Sequence, residues 1–388
     1  MFSSRFHWDL RPNRLTQLLE TRRSEGARIL DLTESNPTHA GLFYPAEIAV
    51  AFADPGILTY QPSPAGSVEA RQAVARYYAA RGCTVDIGRI LLTASTSEAY
   101  AYLFKLLADP GGQVLVPRPS YPLFEFLADM ESLEVRHYPL AYHGGWSIDL
   151  DALEAAVTDR TRAVVLVNPN NPTGSFVKRA ELAALTRLAA ARGLALISDE
   201  VFSDYAFSPD ADRAATLADV EDCLAFSLSG LSKVAGLPQM KLGWMVCAGP
   251  ERLRREALEK LEWIADTFLS VGTPVECAAP RLLDAGEEVQ RQIRRRTAQN
   301  LALAREMLEG STASPLTVEG GWYLPLQVPR IRSEEEWALE LLARKDVLVQ
   351  PGFFYDFEAE AFLIVSLLTR PEIFREGVSR LAELLPIL

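Results

Sequence analysis

Seven short, mainly apolar runs constrain this chain more than any other feature, because each is bounded by turn or charged residues and only 135–138 carries a charged residue inside it. They are ILLTA (90–94), QVLVP (113–117), 135–138, AVVLV (163–167), LALIS (194–198), CLAFSL (223–228) and GWMVC (243–247). Helical spacing fills several of the intervals. Ala70, Ala73, Val74, Tyr77 and Tyr78 share one face, as do Leu182, Leu185 and Leu188 in 179–192, where Gly193 provides the stop. Uniformly apolar strands separated by helices predict an α/β domain with a mainly parallel sheet covered on both faces. Its expected extent is 46–270.

After the helix that begins near 251 the pattern changes. A charged helix over 287–309, short strands in 322–328, a helix over 333–345, the strand FLIVSLL (362–368) and a last helix opened by Pro371 predict a smaller α+β domain. The first 45 residues, with one apolar segment at 29–32, are expected to join 271–388 in it. The 388 residues, 48% hydrophobic and 23% charged, suffice for two cores. A net charge of -12 and pI near 5.0 oppose nucleic-acid binding, and Arg294-Arg295-Arg296 reads as a solvated helix face. The spacing of Cys83, Cys223, Cys247 and Cys277 suggests neither a disulfide framework nor a metal site. MFSSRFHWDL has no signal-peptide pattern and no apolar run is long enough to span a bilayer, so a cytoplasmic protein is expected.

In open α/β sheets ligands bind beyond the carboxyl ends of the strands. Ser95, Thr96, Ser97 and Glu98 follow ILLTA and open a helix whose N–H groups suit a phosphate, although Ser95 with Glu98 also reads as a capping box. NPNNPTG (168–174) follows AVVLV, Asp199-Glu200 follows LALIS, and LSGLSKVAGLPQMKLGW (228–244) follows CLAFSL. In the last stretch Lys233 is surrounded by small residues that leave room for a ligand. A phosphate for the helix start, a ring nitrogen for a carboxylate, a phenolic oxygen for an amide and an aldehyde for a lysine are the four handles of pyridoxal 5'-phosphate.

The order Y…P…G, NPNNPTG, DEVF, SGLSK and K-x-G resembles the class I/II aminotransferases of fold type I, from Tyr60 to the final helix. The resemblance implies roles residue by residue. Lys233 is similar to the lysine that joins the cofactor and moves the substrate proton, and Asp199 to the acid that keeps the ring nitrogen protonated. Asn171 resembles the donor to the phenolic oxygen, and Tyr121 the aromatic residue stacked on the ring. Ser95, Thr96, Ser97, Ser229 and Lys241 are implied phosphate ligands. Tyr60 resembles a tyrosine that reaches the neighbouring subunit's phosphate, which implies a homodimer with shared active sites. The small-molecule partners implied are an amino donor and an oxo acceptor; no metal is expected.

Three positions depart from the family pattern. Lys241 stands where an arginine is usual, Phe202 where a tyrosine gives a second donor to the phenolic oxygen, and Ile364 where an arginine grips the substrate carboxylate. Tyr205 is another phenol near Phe202 in sequence. Arg370 and Asn36 are the candidates to meet the carboxylate; otherwise the substrate presents an uncharged group there. A lyase or decarboxylase of the same fold, or a pyridoxal-phosphate-binding module without turnover, are the alternatives to an aminotransferase.

Overall fold

All seven apolar runs become neighbours in a single eight-stranded sheet of the computed structural model, which describes residues 2–8 and 11–385. The strands are β1 (Ile90–Thr93), β2 (Gln113–Arg118), β3 (Glu134–Tyr142), β4 (Trp146–Ile148), β5 (Thr161–Val167), β6 (Ala195–Asp199), β7 (Ala225–Gly230) and β8 (Gly243–Ala248). Their spatial order is β1-β8-β7-β6-β5-β2-β3-β4. From β7 to β3 every pairing is parallel, whereas β8 runs antiparallel to both β7 and β1. The exception has a local cause. Between β7 and β8 lie only the single α-turn Leu231–Val234 and the 3-10 turn Pro238–Met240, too short to carry the chain back across the sheet, so it returns beside the strand it has left.

The sheet is buried on both sides. On one, α2 (Thr96–Leu107) and α4 (Glu251–Asp266) place Leu103, Phe104 and Leu261 against Val116, Val165, Phe226 and Met245. On the other, α1 (Val68–Ala79) sets Val74 and Tyr78 against Leu92, Trp244 and Val246, while α3 (Arg179–Arg192) packs Leu185 and Ala189 on Val164 and Leu196. The charged helix expected from 287 begins earlier and forms α5 (Thr273–Met307), 35 residues long with Pro280 inside it. Its Val275, Ala278, Leu282 and Ile293 join the core around Trp244, and its Leu301 and Ala304 join the core of the smaller sheet.

That smaller sheet is antiparallel, with β9 (Ser314–Pro315), β10 (Tyr323–Gln327), β11 (Gln350–Pro351) and β12 (Phe362–Ser366) in the order β9-β10-β12-β11. Leu324, Leu326, Leu363 and Val365 face α6 (Glu334–Lys345) and α7 (Pro371–Leu384), meeting Trp337, Leu341, Phe374 and Val378. The N-terminal segment joins this domain through Leu30–Asp31, which pairs in parallel with Val347–Leu348. Both chain ends therefore contribute to it.

One backbone contact ties the two sheets together at the NPNNPTG loop. Gly174 has φ +67°, and a Cβ there would lie 2.5 Å from the Gly320 carbonyl oxygen; a Cβ on Gly320 would lie 2.6 Å from that of Tyr205. The Gly320 N–H donates to Gly174 O at 3.0 Å and the Gly321 N–H to Tyr205 O at 3.0 Å. Two side-chain-free positions thus let the entry to β10 lie directly on the loops that follow β5 and β6.

Gly174→Ala is expected to destabilise the protein by at least about 2 kcal/mol, from left-handed backbone plus the clash. Gly193 has the same φ, +67°, with nothing within 4 Å of a built Cβ, so Gly193→Ala should cost only about 1 kcal/mol. Urea midpoints of the two variants measured side by side check this; equal losses would mean that the Gly174–Gly320 contact is not tight.

Candidate active site

Four segments converge beyond the carboxyl ends of β5, β6 and β7. Asp199 ends β6, and its carboxylate accepts from the Val201 N–H at 3.2 Å and from the Tyr100 hydroxyl at 3.5 Å. Burial raises its pKa to about 6, with these donors and the nearby Lys233 pulling the other way. Lys233 shows the complementary effect: burial lowers its pKa and Asp199 raises it. Its amine lies 5.4 Å from the Trp322 ring centroid and 5.9 Å from that of Phe202. The Tyr205 hydroxyl is occupied by the Lys233 carbonyl, so it fixes the lysine's backbone and is not a second donor to a ligand.

The asparagines of NPNNPTG divide by role. Asn168 is structural: its Nδ2 donates to Ala214 O at 3.1 Å and its Oδ1 accepts from the Val177 N–H at 3.0 Å. Asn170 is likewise engaged, with Thr173 and Ser120. Asn171 differs, since its Oδ1 is buried without a partner. A buried, unpaired amide atom is costly in a finished core, and a half-turn of the amide exchanges acceptor for donor.

At the helix start, Ser95 caps α2 by accepting from the Glu98 N–H at 3.2 Å, while Glu98 accepts from the Ala94 N–H at 2.7 Å and from Ser270 Oγ at 2.6 Å. Thr96 and Ser97 occupy the first turn and are half-buried. Opposite them Gly230 pairs with Gly243, and a Cβ on Gly243 would come within 3.0 Å of the Ser95 carbonyl carbon. Lys241 follows, exposed and in left-handed backbone at φ 50°. Ser229 is the expected phosphate ligand that the structure does not bring here. The strand runs on to Gly230, so Ser229 lies opposite Trp244 on the face of Ser227 and Glu200, away from Asp199; its hydroxyl is buried there without a partner.

Tyr121 lies close enough to Asp199 for the carboxylate to raise its pKa, although burial contributes more; it is 45% exposed. Tyr60 is 74% exposed and so is free to reach beyond its own chain. Asn36 is engaged locally, its Oδ1 accepting from the Thr38 N–H at 3.0 Å and Thr38 Oγ1 at 2.8 Å. Arg370 is exposed at the start of α7, donates to His39 O at 3.2 Å and lies against Gly41, beyond the turn that ends β12. Ile364 is fully buried opposite Pro325 and Gln350. Tyr100, Trp322, Tyr323 and Tyr355 escaped sequence reasoning. Only Tyr100 carried a signal, three residues after Ser97 on the helix already assigned. A cavity of about 1010 Å³ lies elsewhere, lined by Tyr77, Arg81, Asp204 and Arg294, where Asp204 already has Arg81 and Tyr77 as partners.

The donor set fits pyridoxal phosphate. Asp199 lacks a contacting cation, which a ring N–H would supply; the unpartnered end of the Asn171 amide, turned so that Nδ2 takes the place of Oδ1, would donate to a phenolic oxygen. Lys233 is the amine for the aldehyde, and the first-turn N–H groups of α2, beside the closely packed Gly230 and Gly243, suit a phosphate.

The family model described as aminotransferase class I and II matches residues 27–381. Glutamate-pyruvate aminotransferase of Escherichia coli is 29% identical over 272 residues, a match covering 68% of this chain and 66% of that protein, just under two thirds of its length. An aminotransferase structure from Escherichia coli superposes with a TM-score of 0.86 at 25% identity, covering 99% of this chain and 97% of that one. Alanine aminotransferase from Pyrococcus furiosus, at 22% identity and 99% coverage of both chains, shares the fold with a TM-score of 0.89.

A carboxyl whose folded pKa is raised above its unfolded value stabilises the fold below the unfolded pKa and loses that contribution as pH rises through the folded one. For Asp199 the window runs from the ordinary 3.8 to about 6. In the cofactor-free protein Asp199→Asn should therefore stabilise above pH 6 by about 1–2 kcal/mol, the carboxylate being partly open to the cleft, with no gain below about pH 4. Thermal midpoints of both proteins from pH 4 to 8 check it; a gain of equal size at pH 4 would refute the assignment.

Proposed function

The chain belongs to the aminotransferase class I and II family, and from that premise we propose that it is a pyridoxal-phosphate-dependent aminotransferase passing an amino group between an amino donor and an oxo acceptor. The observation that supports this most is the trio of Asp199, Asn171 and Lys233: a half-buried acid without a contacting cation, a buried amide with its outer atom unpartnered and an amine held below its ordinary pKa. Bound pyridoxal phosphate would supply an electron-accepting ring next to the carbon that exchanges its amino group. The residues do the rest. Lys233, whose burial favours the neutral amine, would be the residue that holds the cofactor's aldehyde end, and its amine is the group placed to hold the proton taken from the donor's reacting carbon. Asp199, oriented by Tyr100 and the Val201 N–H, keeps a positive charge at the ring nitrogen. Asn171 meets the phenolic oxygen alone, because Phe202 has no donor and Tyr205 is occupied. Thr96, Ser97, the N–H groups of the α2 start and Lys241 hold the phosphate, and Tyr121 covers the ring.

Tyr60, exposed here, completes the phosphate site of a second copy, so the working unit is a homodimer with shared sites. Among the described residues no helix is long and apolar enough to cross a membrane, and all four cysteines are free thiols, which favours a reducing cytoplasm.

Borohydride reduction followed by peptide mapping should find the pyridoxyl group on Lys233, and Lys233→Ala should lower turnover by at least about 10²–10⁴-fold; a label on Lys241 would overturn the assignment. Running a panel of amino donors with 2-oxoglutarate and, separately, with uncharged aldehydes as acceptors, while following pyridoxamine phosphate, ammonia and pyruvate, distinguishes transamination from elimination. Phe202→Tyr adds a donor to the phenolic oxygen and should lower the pH midpoint of the bound cofactor's absorbance by about one to two units. An unchanged midpoint would show that Asn171 is not acting alone.

A further inference from the structure

The wall of the cleft facing Lys233 from the smaller sheet is built from rings and hydroxyls, with no cation among its described residues. The Phe202 ring contacts those of Trp322, at 5.2 Å, and Tyr323, at 6.3 Å; Tyr323 lies 6.1 Å from Tyr355. Tyr323 and Pro325 share a face of β10, and their partners Ser366 and Ile364 share the same face of β12. Gln350, paired with Ile364, accepts from the Tyr355 hydroxyl. Burial raises the pKa values of Tyr323, to about 12, and of Tyr355, so both phenols remain neutral donors. The Glu34 acid adds to the rise at Tyr323 after burial; its Oε1 accepts from the Asn36 N–H at 2.8 Å and its Oε2 lies 3.7 Å from Nδ1 of the exposed His39, on the side away from the rings. The neighbouring arginines turn elsewhere: Arg118 donates to Asp356 O at 2.9 Å and approaches Glu358, while Arg370 is exposed on the His39 carbonyl.

A substrate carboxylate against this wall would lose water, gain no cation and face Glu34, a combination that folded proteins strongly disfavour. We infer that the substrate of this site is a primary amine, together with the aldehyde or ketone it becomes, whose reacting carbon carries uncharged substituents in place of an α-carboxylate. The inference rests on the chemistry proposed above for Lys233. The exchange R–CH2–NH2 + R′–CO–R″ → R–CHO + R′–CH(NH2)–R″ is balanced. The donor carbon loses its C–N bond and one C–H bond and is oxidised by two electrons. The acceptor carbon gains both bonds and is reduced by two, and oxygen passes between them through water. Both partners use one site, so the same exclusion applies to each.

Matched pairs that differ only by the carboxylate test this on the holoenzyme: tyramine with L-tyrosine, 2-phenylethylamine with L-phenylalanine, and 3-methylbutylamine with L-leucine. The apparent Kd from saturation of the single half-reaction, followed by cofactor absorbance, is expected to be at least about tenfold lower for the amine of each pair. A smaller preference, a preference for the amino acid, or no saturation by any amine overturns the inference. Glu34→Gln keeps the acceptor for the Asn36 N–H and removes the charge, so the preference should fall by at least about threefold; an unchanged preference overturns the electrostatic exclusion. Failure of the Lys233 assignment shows separately, as pyridoxyl label at another residue after borohydride reduction.

Discussion

A half-buried carboxylate close to a half-buried amine, with few donors of its own, is the constraint around which this molecule is arranged. Asp199 is held at a strand end by one N–H and one distant hydroxyl, and burial is the largest influence on its proton. The same low-dielectric setting holds the Lys233 amine below its usual pKa. Neither group would be placed there for stability, because a buried charge without full pairing weakens a fold. The surrounding structure over-determines both positions. Glu200, next in sequence, is anchored on the opposite side of the sheet by the Leu217 N–H, Thr216 and Ser227, and Tyr205 clamps the backbone at Lys233.

What could be read from the sequence follows from what periodicity encodes. Uniformly apolar runs separated by helices fix a parallel sheet, and the ends of such strands fix where polar residues gather. Lys233, Asp199 and Asn171 are legible for that reason. The side on which Ser229 lies is not legible, because the apolar run stops at Leu228 whereas the ladder continues to Gly230; with a period of two, those extra residues decide which face a side chain occupies. The antiparallel direction of β8 was hidden too, since an apolar strand looks alike in either direction and only the length of its connection distinguishes them.

The residues facing Lys233 could not be found this way, because their positions come from long-range contacts. Trp322 and Tyr323 arrive through Gly174 and Gly320, about 150 residues apart in the chain, whose missing side chains allow one backbone to rest on another. A glycine pair of this kind carries no periodic signal. The same holds for α5, whose regular pattern looks like an ordinary surface helix although it is shared by two cores.

The two ends of the site differ in how they treat charge, and the difference has a structural origin. At the α2 end Ser95 is spent on its own helix, leaving first-turn N–H groups, Thr96, Ser97 and the exposed Lys241 near the Gly230–Gly243 pair, where a Cβ has no room. Such a place accepts a compact anion from several directions, because a helix start and an ammonium group both attract charge without demanding one planar geometry. At the β10–β12 end the polar groups are neutral phenols, an amide and one acid, and the apolar Ile364 is sealed behind them. A ligand with a negative charge at one end and none at the other has only one way to lie between them, so the electrostatics of the two strand-end clusters set the direction of binding before any chemistry begins.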